Sequence, residues 1–521
     1  MNQKQTRAKW TVLFVLAAGL AAGQQNPQPP SAQTQPANRA TTPDAGRHLI
    51  ADRWWEKVPS MLRISLRARR NRPALPIQDE TKLSAFLDEM REKGIASLEI
   101  FAPYHGGSSY GGLDSIDRYR LHPEAGTMED FRRLVRIAHS KGMPIISFDN
   151  LGYCSVEAPE FLQASDDVKA GKETPLTKRF LWSDRADAPP PAAGDHFFMI
   201  RPAHLPGYDS VKGEFWQHSE RAGRYYWTKW GGVDSQRNRV RLPQYNWGTQ
   251  EFEEEAERVV RFWMDTGIDG MVIDAVNWYV GYTWEKGLRR LTNVIKSYGN
   301  AFSQPEGAGG FHEDAVAWVS EGGWTSVQEY GLGIWWEDEH LLVQAVEKGD
   351  PRPLEPALRN YHDRVVAAGG VLYYSPDLLP RFKDQAQQRL VVAAAASFGD
   401  LVAYEYGRGL DLDEEIAWIF KTKGNHPALQ QMSTRRQLPT NADDKYYAFL
   451  RTAADGSERV LVVLNFQPTS QTVEVDLAGV ATAGIVDLRD GSSLARATHV
   501  PIELPPFGYR FFQVEPVGGS R

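Results

Sequence analysis

Three acidic residues follow separate apolar segments of the sequence, where their side chains could act together: Asp274, Glu321 and Asp377. In a parallel β/α barrel, side chains at the carboxyl ends of the strands meet on one face. Two carboxyl groups roughly 5–5.5 Å apart can cleave a glycosidic bond with retention, one as nucleophile and the other as acid and then base. A single acid at a strand end more commonly caps a helix or lies at the surface. It is the order of the three that makes them candidate catalytic residues.

Two further acidic positions compete with these three. His362-Asp363 is a His-Asp pair, but no apolar strand leads into it. Glu329 follows a later apolar segment than Glu321 and is predicted to be structural or peripheral. We therefore prefer Glu321 and Asp377 as partners of Asp274.

The segments around these acids alternate between predicted strands and helices. Short apolar runs predict strands at residues 97–101, 144–148, 271–273, 315–320, 371–374 and 401–404. Thr127 can cap a helix whose apolar residues recur on one face, and residues 252–264 show the same spacing. Repeated βα units of this kind predict an α/β fold with a parallel sheet, a (β/α)₈ TIM barrel.

Changes in composition predict the domain organisation. Residues 47–153 and 248–440 form the barrel, interrupted after its third strand by an inserted subdomain at 154–247 that is rich in Pro, Gly and aromatic residues. Residues 441–516 alternate β-branched and aromatic with polar residues, which predicts a C-terminal antiparallel β-sandwich.

The first 23 residues predict a secretory signal peptide. Lys4, Arg7 and Lys9 precede an apolar run that ends in small residues, and the run is too short to span a bilayer. Residues 24–46 are rich in Gln, Pro, Ala and Thr and predict a flexible leader. We therefore expect a periplasmic or secreted protein with no membrane span. Its single cysteine, Cys154, cannot form an internal disulfide.

The composition and charge indicate the class of protein and argue against one class of partner. A hydrophobic fraction of 42% and a charged fraction of 24% are typical of a soluble globular protein. The net charge of -7, without a basic stripe, argues against nucleic acid as a partner. The sequence leaves the oligomeric state open.

The segment Gly267-Ile-Asp-Gly-Met-Val-Ile-Asp-Ala-Val resembles the fourth-strand motif of the α-amylase family, glycoside hydrolase family thirteen. The resemblance continues, in order, through residues 126–131, 229–234, 241–247 and 425–429 and into the tail at 462–466 and 504–509. It implies a retaining α-glycoside hydrolase or transglycosylase that acts on an oligosaccharide or small α-glycoside. By this resemblance Asp274 is the nucleophile, Glu321 the general acid/base, and Asp377 the carboxylate that supports the transition state.

Several residues that bind the sugar in that family are replaced here. Leu113 stands in place of a Tyr, Gly152-Tyr153 in place of Asn-His, Val272 in place of the Arg two residues before the nucleophile, and Pro376 in place of a His. The missing Asn would also ligate calcium in that family, so we predict no metal, and no cofactor is implied. The predicted substrate contacts are residues the family motif keeps and possible replacements, several of which could equally be core or loop residues: Asp114, His105, Asn150, Tyr153, Asn277, Trp278 and Arg381.

Two interpretations remain open. In the first, the protein is an active enzyme with a rebuilt pocket, for which starch is a poor substrate. In the second, it is a catalytically inactive amylase-like module that binds carbohydrate or protein. Retention of three acids favours activity, because acids packed together are costly without a task.

Overall fold

The computed structural model describes residues 46–68, 73–107, 112–189, 191, 215–233, 239–276, 279, 281, 288–306, 314–329, 332, 340–375, 382, 384–406, 412–495 and 497–517. The first part contains β1 (Ser60–Ile64), α1 (Glu80–Glu92), β2 (Ser97–Phe101), β3 (Tyr104–Gly106), β4 (Ser115–Leu121), α2 (Met128–Ser140) and β5 (Ile145–Asp149). As predicted, Thr127 caps α2, in a capping box with Asp130.

A separate layer follows β5. It contains α3 (Pro159–Lys169), α4 (Pro175–Lys178), β6 (Trp182–Ser183), β7 (Phe215–Ser219), β8 (Arg224–Val233) and β9 (Arg239–Pro243). β8 pairs in antiparallel fashion with β6, β7 and β9, so these four strands form a sheet outside the barrel.

The chain then returns to alternating helices and strands. These are α5 (Gln250–Met264), β10 (Gly270–Ile273), α6 (Arg289–Lys296), β11 (Phe302–Pro305), α7 (Asp314–Ser320), β12 (Ser326–Gln328), α8 (Leu341–Lys348), α9 (Leu354–Ala357), α10 (Asp363–Ala367), β13 (Val371–Tyr374), α11 (Gln385–Phe398), β14 (Leu401–Glu405) and α12 (Glu414–Asn425). A five-residue π-helix, Leu358–His362, joins α9 to α10.

Eight of these strands form one parallel sheet, in the order β11-β10-β5-β2-β1-β14-β13-β12. Its two end strands meet through Ser303 and Thr325, whose N–H donates to the Ser303 carbonyl at 3.2 Å. The Ser303 N–H donates in turn to Thr325 Oγ1 at 2.7 Å. The sheet therefore closes into a (β/α)₈ barrel, which confirms the predicted fold class.

Alternate strand residues point to opposite sides of the barrel wall. One buried cluster fills the interior and includes Met61, Phe148, Val272, Phe302 and Tyr373. The residues between them pack under the helices, among them Leu62, Met271, Ile273, Val327 and Leu372. This alternation fixes which strand-end side chains face the interior.

The segment before β1 covers the amino-terminal end of the barrel. Trp54 is buried in the interior cluster, and its ring centroid lies 5.5 Å from that of Phe302, the first residue of β11. A substrate would therefore approach from the carboxyl ends of the strands.

The C-terminal strands are β15 (Thr434–Leu438), β16 (Tyr446–Thr452), β17 (Arg459–Asn465), β18 (Gln471–Asp476), β19 (Gly484–Asp487), β20 (Ser493–Ala495), β21 (His499–Leu504) and β22 (Tyr509–Glu515). Six of them form one antiparallel sheet and β18 and β21 a second, with a hydrophobic cluster between the two. This is the predicted antiparallel sandwich.

One predicted strand is wrong. Residues 315–320 form the helix α7, and the strand of this βα unit is β12, at Ser326–Gln328. A six-residue apolar run fits a buried helix as well as a strand, so its pattern alone cannot distinguish the two.

The strand after β10 was also missed in the sequence, because β11 contains Ser303, Gln304 and Pro305 and is only four residues long. In the described part of the chain, no helix combines the length and apolar character needed to cross a membrane.

Candidate active site

Asp274 directly follows β10 at the open end of the barrel and is almost fully buried. Its N–H donates to the Asp149 carbonyl at 2.7 Å, which ties it to the end of β5. Its Oδ2 accepts a hydrogen bond from the Tyr153 hydroxyl at 3.1 Å, and its carbonyl accepts one from the Tyr279 hydroxyl at 2.8 Å. Hydrogen bonds to Asp149 and Tyr279 therefore hold the main chain of Asp274, and one from Tyr153 holds its carboxylate.

Glu306 follows the neighbouring strand, β11, at the same level. Ile273 pairs with Pro305, so the next residue on each strand is an acid. The Glu306 N–H donates to the Ile273 carbonyl at 2.8 Å, and its Oε2 accepts from the Ala275 N–H at 2.8 Å. By strand alternation Glu306 shares the inward side of Phe302, as Asp274 shares that of Val272. The structure thus brings Asp274 and Glu306 together at the mouth of the barrel.

Sequence analysis missed Glu306, although one signal pointed to it. Gly299 precedes a short segment that begins with the buried residues Ala301 and Phe302 and ends in an acid. Counting strands would have shown that a βα unit was needed between β10 and the next assigned segment.

Glu321 does not occupy the predicted position. It is an exposed residue directly after α7, and β12 begins five residues later, at Ser326. Because the strands are parallel, a residue that leads into β12 lies toward the amino-terminal end of the barrel. Glu321 is therefore separated from Asp274 by the length of the strands.

Glu329 follows β12 and is buried, but by alternation it shares the outward side of Val327, toward the helices. There, ligand atoms of Glu329, His362 and Asp400 lie within 4.8 Å of one another. This spacing would admit a metal, yet an ion pair accounts for it, because His362 Nε2 lies 3.0 Å from Asp400 Oδ1. Burial opposes protonation of His362, but its carboxylate neighbours Asp363 and Asp400 outweigh that effect and raise its pKa to about 9.

Four predicted residues lie outside the described part of the chain: Asn277, Trp278, Asp377 and Arg381. β13 leads toward Asp377 and ends at Tyr374, with the buried Ser375 as the last described residue before it.

Tyr153 and Asn150 are both fully buried beside Asp274. The Asn150 Nδ2 donates to the Leu113 and Tyr153 carbonyls, each at 2.9 Å, and its Oδ1 accepts from the Gly152 N–H at 2.8 Å. Asn150 therefore shapes the loop after β5, whereas the Tyr153 hydroxyl reaches the Asp274 carboxylate.

Asp114 and His105 belong to the β3–β4 unit. Asp114 is fully buried, and its carbonyl accepts from the Gly107 N–H at 2.7 Å. His105 is partly exposed, and its Nδ1 lies 3.4 Å from Arg120 Nη2. Partial burial and the Arg120 charge lower the pKa of His105, which favours a neutral imidazole.

A polar cluster inside the barrel was not predicted. Arg63 on β1 donates through Nε to Glu99 at 2.6 Å and through Nη2 to the Tyr373 hydroxyl at 2.6 Å, and that hydroxyl also contacts Glu99. Arg63 lines a small open pocket at the ends of β1 and β14, together with Phe101, Glu405 and Tyr406. No periodic pattern in the sequence indicates a charged cluster of this kind inside a barrel.

Comparisons with known proteins match both the barrel and the C-terminal part of the chain. A family model described as "Alpha amylase, catalytic domain" matches residues 87–298, and one described as "Maltogenic Amylase, C-terminal domain" matches residues 436–511. Alpha-amylase 3 of Dictyoglomus thermophilum is 24% identical over 221 residues, 42% of this chain and 37% of that protein. Trehalose synthase/amylase of Mycolicibacterium smegmatis is 28% identical over 230 residues, 44% of this chain and 35% of that protein. The matches thus span about a third of the length of these relatives.

Solved structures match over more of the chain. The trehalulose synthase of Pseudomonas mesoacidophila has a TM-score of 0.65 at 16% identity and covers 89% of this chain and 99% of its own. The α-amylase of H. orenii has a TM-score of 0.66 at 14% identity, over 88% of this chain and 99% of its own. At these identities the likeness shows the shared fold.

Proposed function

Since the chain belongs to the α-amylase family of glycoside hydrolases, we propose that it is a retaining α-glycoside hydrolase or transglycosylase with Asp274 as nucleophile and Glu306 as general acid/base. The observation that carries this proposal is the pair of acids that directly follow the paired ends of β10 and β11. Neighbouring parallel strands are about 4.8 Å apart, a spacing compatible with the carboxyl separation of retaining enzymes.

In the first step, a carboxylate oxygen of Asp274 attacks the anomeric carbon while Glu306 gives its proton to the departing oxygen. The bond from the anomeric carbon to that oxygen breaks, and a glycosyl ester of Asp274 forms. In the second step, Glu306 removes a proton from water or from a sugar hydroxyl, whose oxygen attacks the anomeric carbon and releases Asp274. Asp377 is proposed as the third carboxylate, which supports positive charge in the transition state.

For the substrate we propose an oligosaccharide or a small α-glycoside rather than starch. Val272 is buried among apolar residues of the barrel interior, and Leu113 packs against that interior cluster and against the cluster of Tyr153 and Leu242. Apolar residues at these positions make fewer directed hydrogen bonds to sugar hydroxyls, which weakens discrimination for an ordinary glucosyl unit. Relatives named oligo-1,6-glucosidase and trehalose-6-phosphate hydrolase support a small α-glycoside.

Purified protein assayed on a panel of aryl α-glycosides, with starch and maltose for comparison, tests the function. We expect Asp274→Asn to abolish turnover. We expect Glu306→Gln to lose about 10²–10⁴-fold on substrates with poor leaving groups and much less on activated aryl glycosides. Glu321→Gln is the matched control, because Glu321 is an exposed acid on another part of the barrel.

Loss of activity in Glu321→Gln with full activity in Glu306→Gln would reverse the acid/base assignment. Sugar binding without turnover by the wild-type protein on every substrate of the panel would favour an inactive binding module instead. Starch as the best substrate would contradict the proposed specificity.

We also propose that the protein is exported to the periplasm or medium. The basic, apolar and small residues of positions 1–23 support this, although they lie outside the described residues. Amino-terminal sequencing of protein from the native host should find the mature chain beginning near Gln24. A folded product that retains Met1 would contradict export.

A further inference from the structure

Tyr153 has an unusual combination of burial and polarity. Its side chain is fully buried, yet its hydroxyl donates to Asp274 Oδ2 at 3.1 Å. A hydrogen bond to a charged acceptor in a buried site is stronger than one between neutral groups. The Tyr153 hydroxyl is thus placed to act on the ionised form of Asp274.

The loop after β5 holds Tyr153 in this place. Its carbonyl accepts one hydrogen bond from Asn150 Nδ2 at 2.9 Å and another from Arg118 Nη2 at 3.0 Å. Arg118 is itself buried, with its guanidinium 4.4 Å from the ring centroid of Tyr245. An isolated β-bridge between Tyr153 and Gln244 fixes the main chain from the other side.

The Tyr153 hydroxyl matters more because of the residue two positions before Asp274. By the family resemblance this position carries an arginine that holds the nucleophile ionised, but here it is Val272. Val272 is fully buried in the apolar interior of the barrel. A charged hydrogen bond to the nucleophile from this position is therefore ruled out.

We propose that Tyr153 is a positioning residue that keeps Asp274 ionised and oriented for attack, in the role that a cation on β10 would otherwise have. The proposal rests on the proposed function, in which Asp274 is the nucleophile. It assigns Tyr153 an action on the carboxylate, in place of the predicted direct contact with the sugar.

Other ionisable groups around Asp274 also influence its ionisation. Burial raises the pKa of Asp149 to about 7, against the opposing effect of Arg118, and raises the pKa values of Tyr104 and Tyr279 well above their usual range. Among the described residues, the groups that face Asp274 or its neighbours from the surrounding elements include Tyr104, Asp114, Arg118, Asp149, Tyr153, Tyr279 and Glu306.

The test compares Tyr153→Phe with Tyr279→Phe. Both variants remove one buried hydroxyl next to Asp274, but the Tyr279 hydroxyl donates to the main-chain carbonyl of Asp274. In Tyr153→Phe we expect kcat to fall about tenfold with little change in KM, and the acidic limb of the pH–rate profile to move up by about one unit. In Tyr279→Phe the acidic limb should stay in place.

A second measurement does not depend on turnover. Protein labelled with ¹³C at the aspartate carboxyl groups gives an Asp274 resonance, assigned by its loss in Asp274→Asn. Its titration should shift upward by about one unit in Tyr153→Phe and remain unchanged in Tyr279→Phe. If Tyr153→Phe does not fold, 3-fluorotyrosine at position 153 supplies a more acidic donor of nearly the same shape, which should lower the Asp274 titration point.

These results separate the two proposals. A shifted titration in a protein without glycosidase activity would support the role of Tyr153 and overturn the proposed function. Normal wild-type activity, with neither the titration nor the pH profile moved in Tyr153→Phe, would overturn the role of Tyr153 alone.

Discussion

Asp149 is a carboxyl group in surroundings that disfavour a negative charge. It ends β5 and is fully buried. Burial raises its pKa from 3.8 to about 7, against the opposing effects of Arg118 and the Asn150 N–H, and the charge of Asp274 adds to the rise. Near neutral pH, Asp149 therefore binds a proton in the folded protein that it lacks in the unfolded chain.

This difference predicts a pH-dependent stability. Asp149 does not oppose folding below about pH 4; its penalty grows between about pH 4 and pH 7 and stays constant above that, where the group is ionised in both states. The shift corresponds to at most about 4 kcal/mol of unfolding free energy. Asp149→Asn keeps the shape of the neutral acid, so we expect it to be more stable than the wild type at pH 8 and similar to it at pH 4.

Urea denaturation at both pH values checks this prediction. Asp187→Asn serves as the control, since the Asp187 side chain is 83% exposed and its replacement should change stability little at either pH. A variant at position 149 that is equally destabilised at both pH values would show that Asp149 is ionised and paired in the folded protein.

The strands that carry the site are tied together at their amino-terminal ends as well. Asp269, just before β10, accepts from the Ile145 N–H at 2.8 Å through Oδ2, and the same oxygen lies 2.7 Å from His139 Nε2. The Asp269 N–H donates to the Ile145 carbonyl at 2.6 Å. This contact links α2, β5 and β10, so it fixes the register of the two strands behind Asp274 and Tyr153.

Asp269→Asn should therefore destabilise the protein by about 1.5–3 kcal/mol, because it weakens buried hydrogen bonds to a charged acceptor. Asp88→Asn is a matched control: Asp88 pairs with Lys141 at 2.7 Å, but its side chain is 50% exposed. Its loss should cost less than about 1 kcal/mol. Equal changes in the free energy of unfolding for the two variants would contradict a structural role for Asp269.

The elements differ in how much of their structure could be predicted from the sequence. β2 and β13 have the predicted bounds because each is a continuous apolar run. β12 has only three residues, two of them polar, while the more apolar α7 beside it was taken for the strand. Glu321 was chosen because it follows that segment, whereas Glu306, which we propose as the acid/base, follows β11.

The same reasoning explains what was predictable in the site. Asp274 stands in a motif that can be identified from the sequence, and Tyr153 was found by comparing that motif pattern with this chain. The contact between them joins residues 121 positions apart, and it depends on the closed barrel and the loop after β5. Such contacts arise from tertiary packing, which no local pattern encodes.

At the scale of the whole molecule, the C-terminal sandwich is packed against the barrel and shares its core. One face of its larger sheet, with Tyr447, Phe449, Val462 and Phe511, belongs to the same hydrophobic cluster as the helices around the barrel. Arg451 crosses this boundary: it is fully buried and donates to the Phe398 carbonyl at 2.5 Å and the Gln430 carbonyl at 2.8 Å. Burial lowers its pKa to about 9.

Arg435 on β15 supplies a second polar link between the sandwich and the barrel. This link leads to a prediction about how the two parts unfold. Its Nη2 donates to Asp363 Oδ2 at 2.8 Å, its Nη1 contacts Glu355 on α9, and it also reaches the Tyr447 hydroxyl at 2.6 Å. Its side chain is 1% exposed. Removing one partner of a buried ion pair leaves the other uncompensated, which costs about 3–5 kcal/mol.

We therefore expect Arg435→Met to lower the melting temperature and to split thermal unfolding into two transitions, as the sandwich and the barrel lose their coupling. The neighbouring Arg436→Met is the matched control, because Arg436 donates to the Gly479 carbonyl at 3.3 Å, a contact within the sandwich. It should unfold in one transition near the wild-type temperature. Differential scanning calorimetry separates the outcomes, and a single unshifted transition in Arg435→Met would mean that apolar packing alone couples the two parts.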